Sequence, residues 1–242
     1  ATNTAGSLRI GTGSEIVTAV KTRREMIILT DTSVHSMQFI GPPFTFGINQ
    51  LASSITVRGF NSAVAVGDAV FWMGYDRFYI YDGRVQVIPC SVRDHVFKDF
   101  NETQSDKIYA GVNSAFGEVF WFYPSQTNAI ANGGNGENDK YVVYNYDQKI
   151  WYVGSLARSS WLDRGVYQYP MATDSNLVYN HEKGNDNDGT AFTSFIESSP
   201  IDVQDGDQFV FLRRMIPDIS FDNSDSNISN DNKQAVLSLK AQ

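Results

Sequence analysis

The chain has one cysteine in 242 residues, Cys90, so no intrachain disulfide framework can form. Cys90 closes the run Val87-Ile88-Pro89-Cys90, where a small buried apolar side chain is expected rather than a nucleophile. The three histidines, His35, His95 and His181, are isolated from one another. With a single thiol they cannot complete a zinc set at the usual spacings, and each is expected to be solvated or structural. No stretch approaches the roughly 20 apolar residues that a membrane-spanning helix needs. Ala1 to Ser7 has no basic region leading into a hydrophobic one, so no signal peptide is read. The missing initiator Met and the strand-like run Ala235-Val236-Leu237-Ser238-Leu239-Lys240 at the far end suggest a piece of a longer chain. Positive charge is scarce: 19 Lys and Arg against 27 Asp and Glu give a formal net charge of −8. Such a chain is a poor candidate for wrapping nucleic acid by phosphate neutralisation. It can still line a channel through which DNA slides, because a negative wall does not hold the polymer.

Catalytic signatures are also lacking. There is no Gly-x-Ser-x-Gly, no phosphate loop and no dinucleotide fingerprint. Gly184 to Gly189 fails as a calcium loop, because its first and twelfth positions would fall on Gly184 and Phe195, where carboxylates are required. Asp68, Asp76, Asp82, Glu118 and Asp147 are read as turn formers, since Asp stabilises turns through its own backbone. No catalytic, cofactor-binding or metal-ligating residue is expected.

What is present is aromatic and repetitive. Phe, Trp and Tyr make up 13% of the chain and concentrate in β-type runs. One motif occurs twice. Gly67-Asp68-Ala69-Val70-Phe71-Trp72-Met73 is followed by Phe78-Tyr79-Ile80-Tyr81-Asp82-Gly83. Gly117-Glu118-Val119-Phe120-Trp121-Phe122 is followed by Tyr141 to Tyr146 and Trp151. Phe71 and Phe120 are 120 − 71 = 49 residues apart. A period of that size, built of short strands and tight turns, predicts all-β, propeller-like blades of four-stranded antiparallel sheets. Units are expected at about 14–60, 62–90, 106–156 and 161–221, within one domain or part of one over 1–242. Phe71, Trp72, Tyr79, Tyr81, Phe120, Trp121, Tyr144 and Trp151 are the expected core positions.

Within 62–90 the turns fall at Gly67-Asp68, Tyr75-Asp76 and Asp82-Gly83, the last read as a hairpin with both residues at positive φ. Residues 91–100 predict a short helix between blades, capped by Ser91, with Val92, Val96 and Phe100 on one face. Asn132 to Asp139 contains no apolar residue and is expected to be an exposed, mobile loop, so that deleting Gly133 to Asn138 should hardly change stability. Arg23, Arg24, Arg213 and Arg214 are the candidate interface residues, because paired guanidinium groups favour bidentate contacts.

The run Thr22-Arg23-Arg24-Glu25-Met26-Ile27-Ile28-Leu29-Thr30, then Val34-His35-Ser36-Met37, Val70 to Gly74 and Phe78 to Gly83, resembles the propeller region of tail hub or nozzle proteins of tailed bacteriophages. That group includes tail tubular proteins and packaged-DNA stabilisation proteins. The likeness covers about Arg23 to Val153. It implies a structural virion protein and no enzyme. It implies a ring of six subunits around the DNA exit channel, with portal or adaptor and fibre or spike proteins as neighbours. DNA would pass without sequence-specific binding, and no cofactor or membrane would be involved. Two other readings fit the same residues. One is a non-catalytic interaction propeller, although no Gly-His…Trp-Asp repeat occurs. The other is a propeller glycosidase, which needs paired carboxylates in a central pocket.

Overall fold

The computed structural model describes residues 6–184, 186, 187, 189–191, 213, 214, 216, 218 and 236–238. The chain divides into two compact units, Ala1–Asn185 and Asp186–Gln242. The boundary falls inside the expected fourth unit, 161–221.

The first unit is a succession of antiparallel sheets, each a simple meander in chain order. Sheet I contains β1 (Ile16–Lys21), β2 (Met26–Thr30), β3 (Ser33–Gly41) and β4 (Thr45–Ser53). Sheet II contains β5 (Ala63–Val66), β6 (Ala69–Met73), β7 (Phe78–Tyr81) and β8 (Val85–Ile88). The helix α1 (Arg93–Asp99) and a 3₁₀ segment (Glu102–Lys107) follow. Sheet III contains β9 (Tyr109–Asn113), β10 (Glu118–Tyr123), β11 (Lys140–Asn145) and β12 (Ile150–Ser155). Sheet IV has three strands, β13 (Ser160–Leu162), β14 (Met171–Asp174) and β15 (Leu177–Asn180). In the second unit, β16 (Asp186–Asn187) and β17 (Thr190–Ala191) form a hairpin.

The central strands read as unbroken apolar runs because both of their faces are buried. On β6, Val70 and Trp72 enter the cluster shared with sheet I, while Phe71 and Met73 enter the one shared with sheet III. On β10, Val119, Trp121 and Tyr123 face sheet II, while Phe120 and Phe122 face sheet IV. The 49-residue repeat therefore has a structural meaning. Trp72 and Trp121 point to the preceding sheet, and Phe71 and Phe120 point to the following one. The first strands adjoin in chain order: β5 lies against β1 and β9, and β9 against β13.

Two local expectations change, and one feature is new. Asp82-Gly83 is not a two-residue turn: the loop is Asp82-Gly83-Arg84, and Gly83 alone takes positive φ. The extra residue relieves Asp82 of the left-handed conformation, which is costly for a residue with a Cβ. Ser91 does not cap α1, whose N-cap is Val92 with no side-chain hydrogen bond. Burial of Val96 and Phe100 holds the helix instead. Finally, β3 and β4 are much longer than β2. Pairing of β2 with β3 ends at Met26 and Met37, yet β3 and β4 continue through Gln38–Gly47 and Phe39–Phe46 to Gly41–Thr45. The result is a two-stranded arm that extends past the rest of sheet I.

Candidate functional site

The expected core positions divide by depth. Phe71, Trp72, Tyr79, Tyr81, Trp121 and Tyr144 are buried, whereas Phe120 and Trp151 are half-buried. Their polar atoms tie the sheets together. Trp121 Nε1 donates to Ser62 O at 3.0 Å, and Trp151 Nε1 to Pro89 O at 2.8 Å, both reaching from sheet III to the flanks of sheet II. Trp161 Nε1 donates to Val112 O at 2.8 Å, from sheet IV to β9. Its side chain packs on Gly111, where an added Cβ would stand 2.7 Å from the indole.

The four candidate interface arginines divide between the two units. Arg23 and Arg24 are exposed in the β1–β2 turn. Arg24 Nε stands 3.5 Å from Asp68 Oδ2 in the β5–β6 turn, an open ion pair that contributes little. Arg213 and Arg214 are exposed and belong to the second unit.

Two other arginines, Arg58 and Arg158, are buried. Arg58 donates to the Glu102 carboxylate and, through Nη2, to Tyr75 O at 2.8 Å, with its guanidinium 4.1 Å from the Phe100 ring centroid. Arg158 donates through Nε to His181 Nε2 at 2.8 Å and stacks 4.4 Å over Tyr179. Burial, and then the Arg158 charge, push the His181 pKa down to about 4. Arg158 lines a cleft of about 340 Å³ with Asn138, Asp174 and Asn176. A wider groove of about 460 Å³ runs along the first strands β5 and β9 to Trp161 and Asp163.

Among the turn carboxylates, Asp68, Asp76, Asp82 and Asp147 lie in hairpin loops as expected. Glu118 differs: it begins β10, is half-buried and accepts a hydrogen bond from the Tyr152 hydroxyl. Burial raises its pKa and the nearby Glu182 adds to the effect, while the Tyr152 hydroxyl works against it. Among the described residues, no group of three His, Cys, Asp or Glu side chains could hold a metal ion. His35 is buried between Thr12 Oγ1 at 3.0 Å and Ser33 Oγ at 2.9 Å, under the segment that precedes β1. His95 is exposed. Cys90 is partly buried and its thiol pKa is pushed up to about 11 by desolvation.

The polar loop before β11 is a hydrogen-bonded tie, which corrects the expectation of a free loop. Asp139 accepts from Ser125 N at 2.8 Å and from Ser125 Oγ at 2.7 Å. Asn128 Nδ2 donates to Asn135 Oδ1 at 2.7 Å and to Glu137 O at 2.9 Å. Asn138 is buried, and its Nδ2 donates to Lys107 O at 2.8 Å and to Arg158 O at 3.1 Å. Counting apolar residues missed this loop because side-chain amides hold it.

The clearest surface feature is the β3–β4 arm. Phe39, Ile40, Phe44 and Phe46 are 69%, 56%, 77% and 45% exposed, large values for side chains of this kind. Phe39 meets Phe46 edge to face at 5.9 Å, and Ile40 folds over Gly47. Residues 38–53 carry no charge. Contiguous apolar surface of this kind marks interaction sites.

No family model matches the chain, and no curated protein matches it. Among solved structures, it is similar to the extracellular domain of a one-component system from B. thetaiotaomicron, with TM-score 0.46 and 11% identity over 80% of this chain and 24% of that one. The chain thus spans about a quarter of that protein. A 2S albumin seed protein from Dolichos gives TM-score 0.32 and 12% identity over 68% of this chain and 85% of that one. A plant lectin with two metal-binding sites from Cicer arietinum gives 0.29 and 13% over 71% and 92%. No functional residue is carried over from any of the three.

Proposed function

We propose that this chain is a non-catalytic structural subunit whose sheets are successive propeller blades. Following the resemblance of Arg23 to Val153, we assign it to the hub or nozzle of a bacteriophage tail. There it would form a ring around the DNA exit channel and hold neighbouring tail proteins. One observation carries the reading: consecutive meander sheets stack in chain order with their first strands adjoining, and a 49-residue repeat sets the buried faces. Inner strands placed side by side are how a propeller lines its axis. The charge of −8 suits a wall along which DNA slides without being held. Mass spectrometry of purified virions that carry the gene tests the assignment. The protein should be present in a fixed ratio to the portal subunit. Intact, infectious virions that lack it would refute the tail role.

A second reading, a non-catalytic interaction propeller outside any virion, is favoured by the exposed apolar arm alone. It predicts a soluble partner captured through Phe39 and Phe44, and normal virions without the protein.

A further inference from the structure

The chain leaves sheet IV through His181 and Glu182, just before the boundary between the two units. Polar contacts hold this exit segment down. His181 N donates to Pro170 O at 2.8 Å, ahead of β14. His181 Nε2 accepts from Arg158 Nε at 2.8 Å, and its ring packs on that of Trp161 with centroids 4.8 Å apart. Glu182 Oε1 accepts from Nδ2 of the buried Asn113, at the end of β9, at 3.3 Å. Glu182 sits at φ +57°, a conformation that a residue with a Cβ keeps only where its surroundings hold it.

A guanidinium only donates, so Arg158 can bond this imidazole only while Nε2 carries no proton. The contact therefore selects the neutral tautomer with its hydrogen on Nδ1. Protonation sets a second N–H against the guanidinium N–H and a second positive charge beside the first, turning a hydrogen bond into a repulsion. The other histidines meet no such conflict. His35 lies between the Thr12 and Ser33 hydroxyls, which can accept as well as donate, and His95 is exposed. Of the charged groups around the segment, Asp174 attracts Arg158 and Tyr179 lies under it, which keeps the guanidinium in place. Lys183 reaches toward the Tyr169 ring. On sheet III, Glu118, with Tyr152 bonded to it, repels Glu182 when both are ionised. Acid neutralises Glu118 and relaxes that repulsion, so release on acidification must come from His181.

We infer that residues 181–184 are an acid-released latch: protonation of His181 against Arg158 frees them from sheet IV and lengthens the tether to the second unit, while sheets I to III stay closed. Those three sheets are joined by apolar clusters that do not titrate in this range. The seam between sheets III and IV buries only Phe122, Trp161 and Ala172, so its polar ties carry more of the contact. The latch is a property of the first unit and holds for a virion subunit and for an interaction propeller alike.

Amide hydrogen exchange of the 242-residue chain, followed by mass spectrometry and corrected for its intrinsic pH dependence, tests the latch. With the His181 pKa lowered from 6.5 to about 4, exchange in 181–184 should rise roughly twenty-fold from pH 7 to pH 5. Peptides from β6 and β10 should not change. His181→Gln, whose side-chain oxygen can still accept from Arg158, should keep the segment protected at both pH values. Glu182→Gln should leave the rise in place. Nitrogen-15 NMR of the imidazole in the parent chain gives a readout that needs no variant: at pH 7 the ring must carry its hydrogen on Nδ1. A ring protonated on Nε2 would overturn the inference. So would no rise in the parent chain, a rise that survives in His181→Gln, or an equal rise in β6 and β10, which would mean that the whole unit opens.

Discussion

Replacing Trp121 with alanine strikes the contact between sheets II and III. The indole is fully buried, 4.9 Å from the Phe78 ring and 6.1 Å from that of Trp151. Loss of a buried Trp side chain with partial collapse of the cavity costs roughly 3–5 kcal/mol. The Nε1 bond to Ser62 O is lost as well, but that carbonyl also accepts from Met73 N at 3.2 Å, so no acceptor is orphaned. The hydrogen-bond contribution is therefore small, about 0.5–1 kcal/mol. A total of about 3.5–6 kcal/mol is expected, a large share of the roughly 5–15 kcal/mol that stabilises an ordinary domain. Urea titration followed by far-ultraviolet circular dichroism measures it without relying on the four tryptophans. The midpoint should fall with an unchanged slope. A double-mutant cycle with Phe78→Ala should show coupling of about 1 kcal/mol, because the rings touch. A loss below about 1 kcal/mol, or no coupling, would mean that sheets II and III do not pack through this residue.

Three further outcomes follow from the same geometry. Asn138→Ala should cost about 2 kcal/mol in the same titration, because it leaves Lys107 O and Arg158 O without their donor; a free loop would give no change. Gly111→Ala should cost about 1–3 kcal/mol by forcing the Trp161 ring off β9, whereas a neutral result would mean that sheet IV is not seated there. The His181 pKa is lowered in the fold, so its contribution is complete above its ordinary value of 6.5 and is lost as the pH falls from there toward about 4. The loss is at most about 3 kcal/mol. The melting temperature should drop over that window in the parent chain and drop less in His181→Gln; identical pH profiles would refute the burial of His181 against Arg158.

Sheet II was legible strand by strand because Gly67, Tyr75-Asp76 and Asp82-Gly83 punctuate four short apolar runs. Its turns sit where backbone chemistry puts them. Sheet III followed from the repeat. The run Thr45-Phe46-Gly47-Ile48-Asn49-Gln50-Leu51-Ala52-Ser53 is β4, but it lacks clear alternation, and its partner β3 is what orders it. The same mixed run hid the arm, since single apolar residues beside Gly41-Pro42-Pro43 give no sign that they face solvent. Buried Arg58 was illegible for a different reason. Its burial depends on Phe100 and Glu102, more than 40 residues away, and no local pattern carries that. Asn138 was misjudged because the reading weighed apolar anchors only, and amide hydrogen bonds to Lys107 and Arg158 did the anchoring.

Electron microscopy of the particle with which this chain co-purifies tests the central claim most directly. The account predicts a ring at the tail vertex with an axial channel along which the first strands β1, β5, β9 and β13 lie. A free monomer with an open pocket lined by Glu118 and Glu182 would contradict it and point to those carboxylates as a catalytic pair.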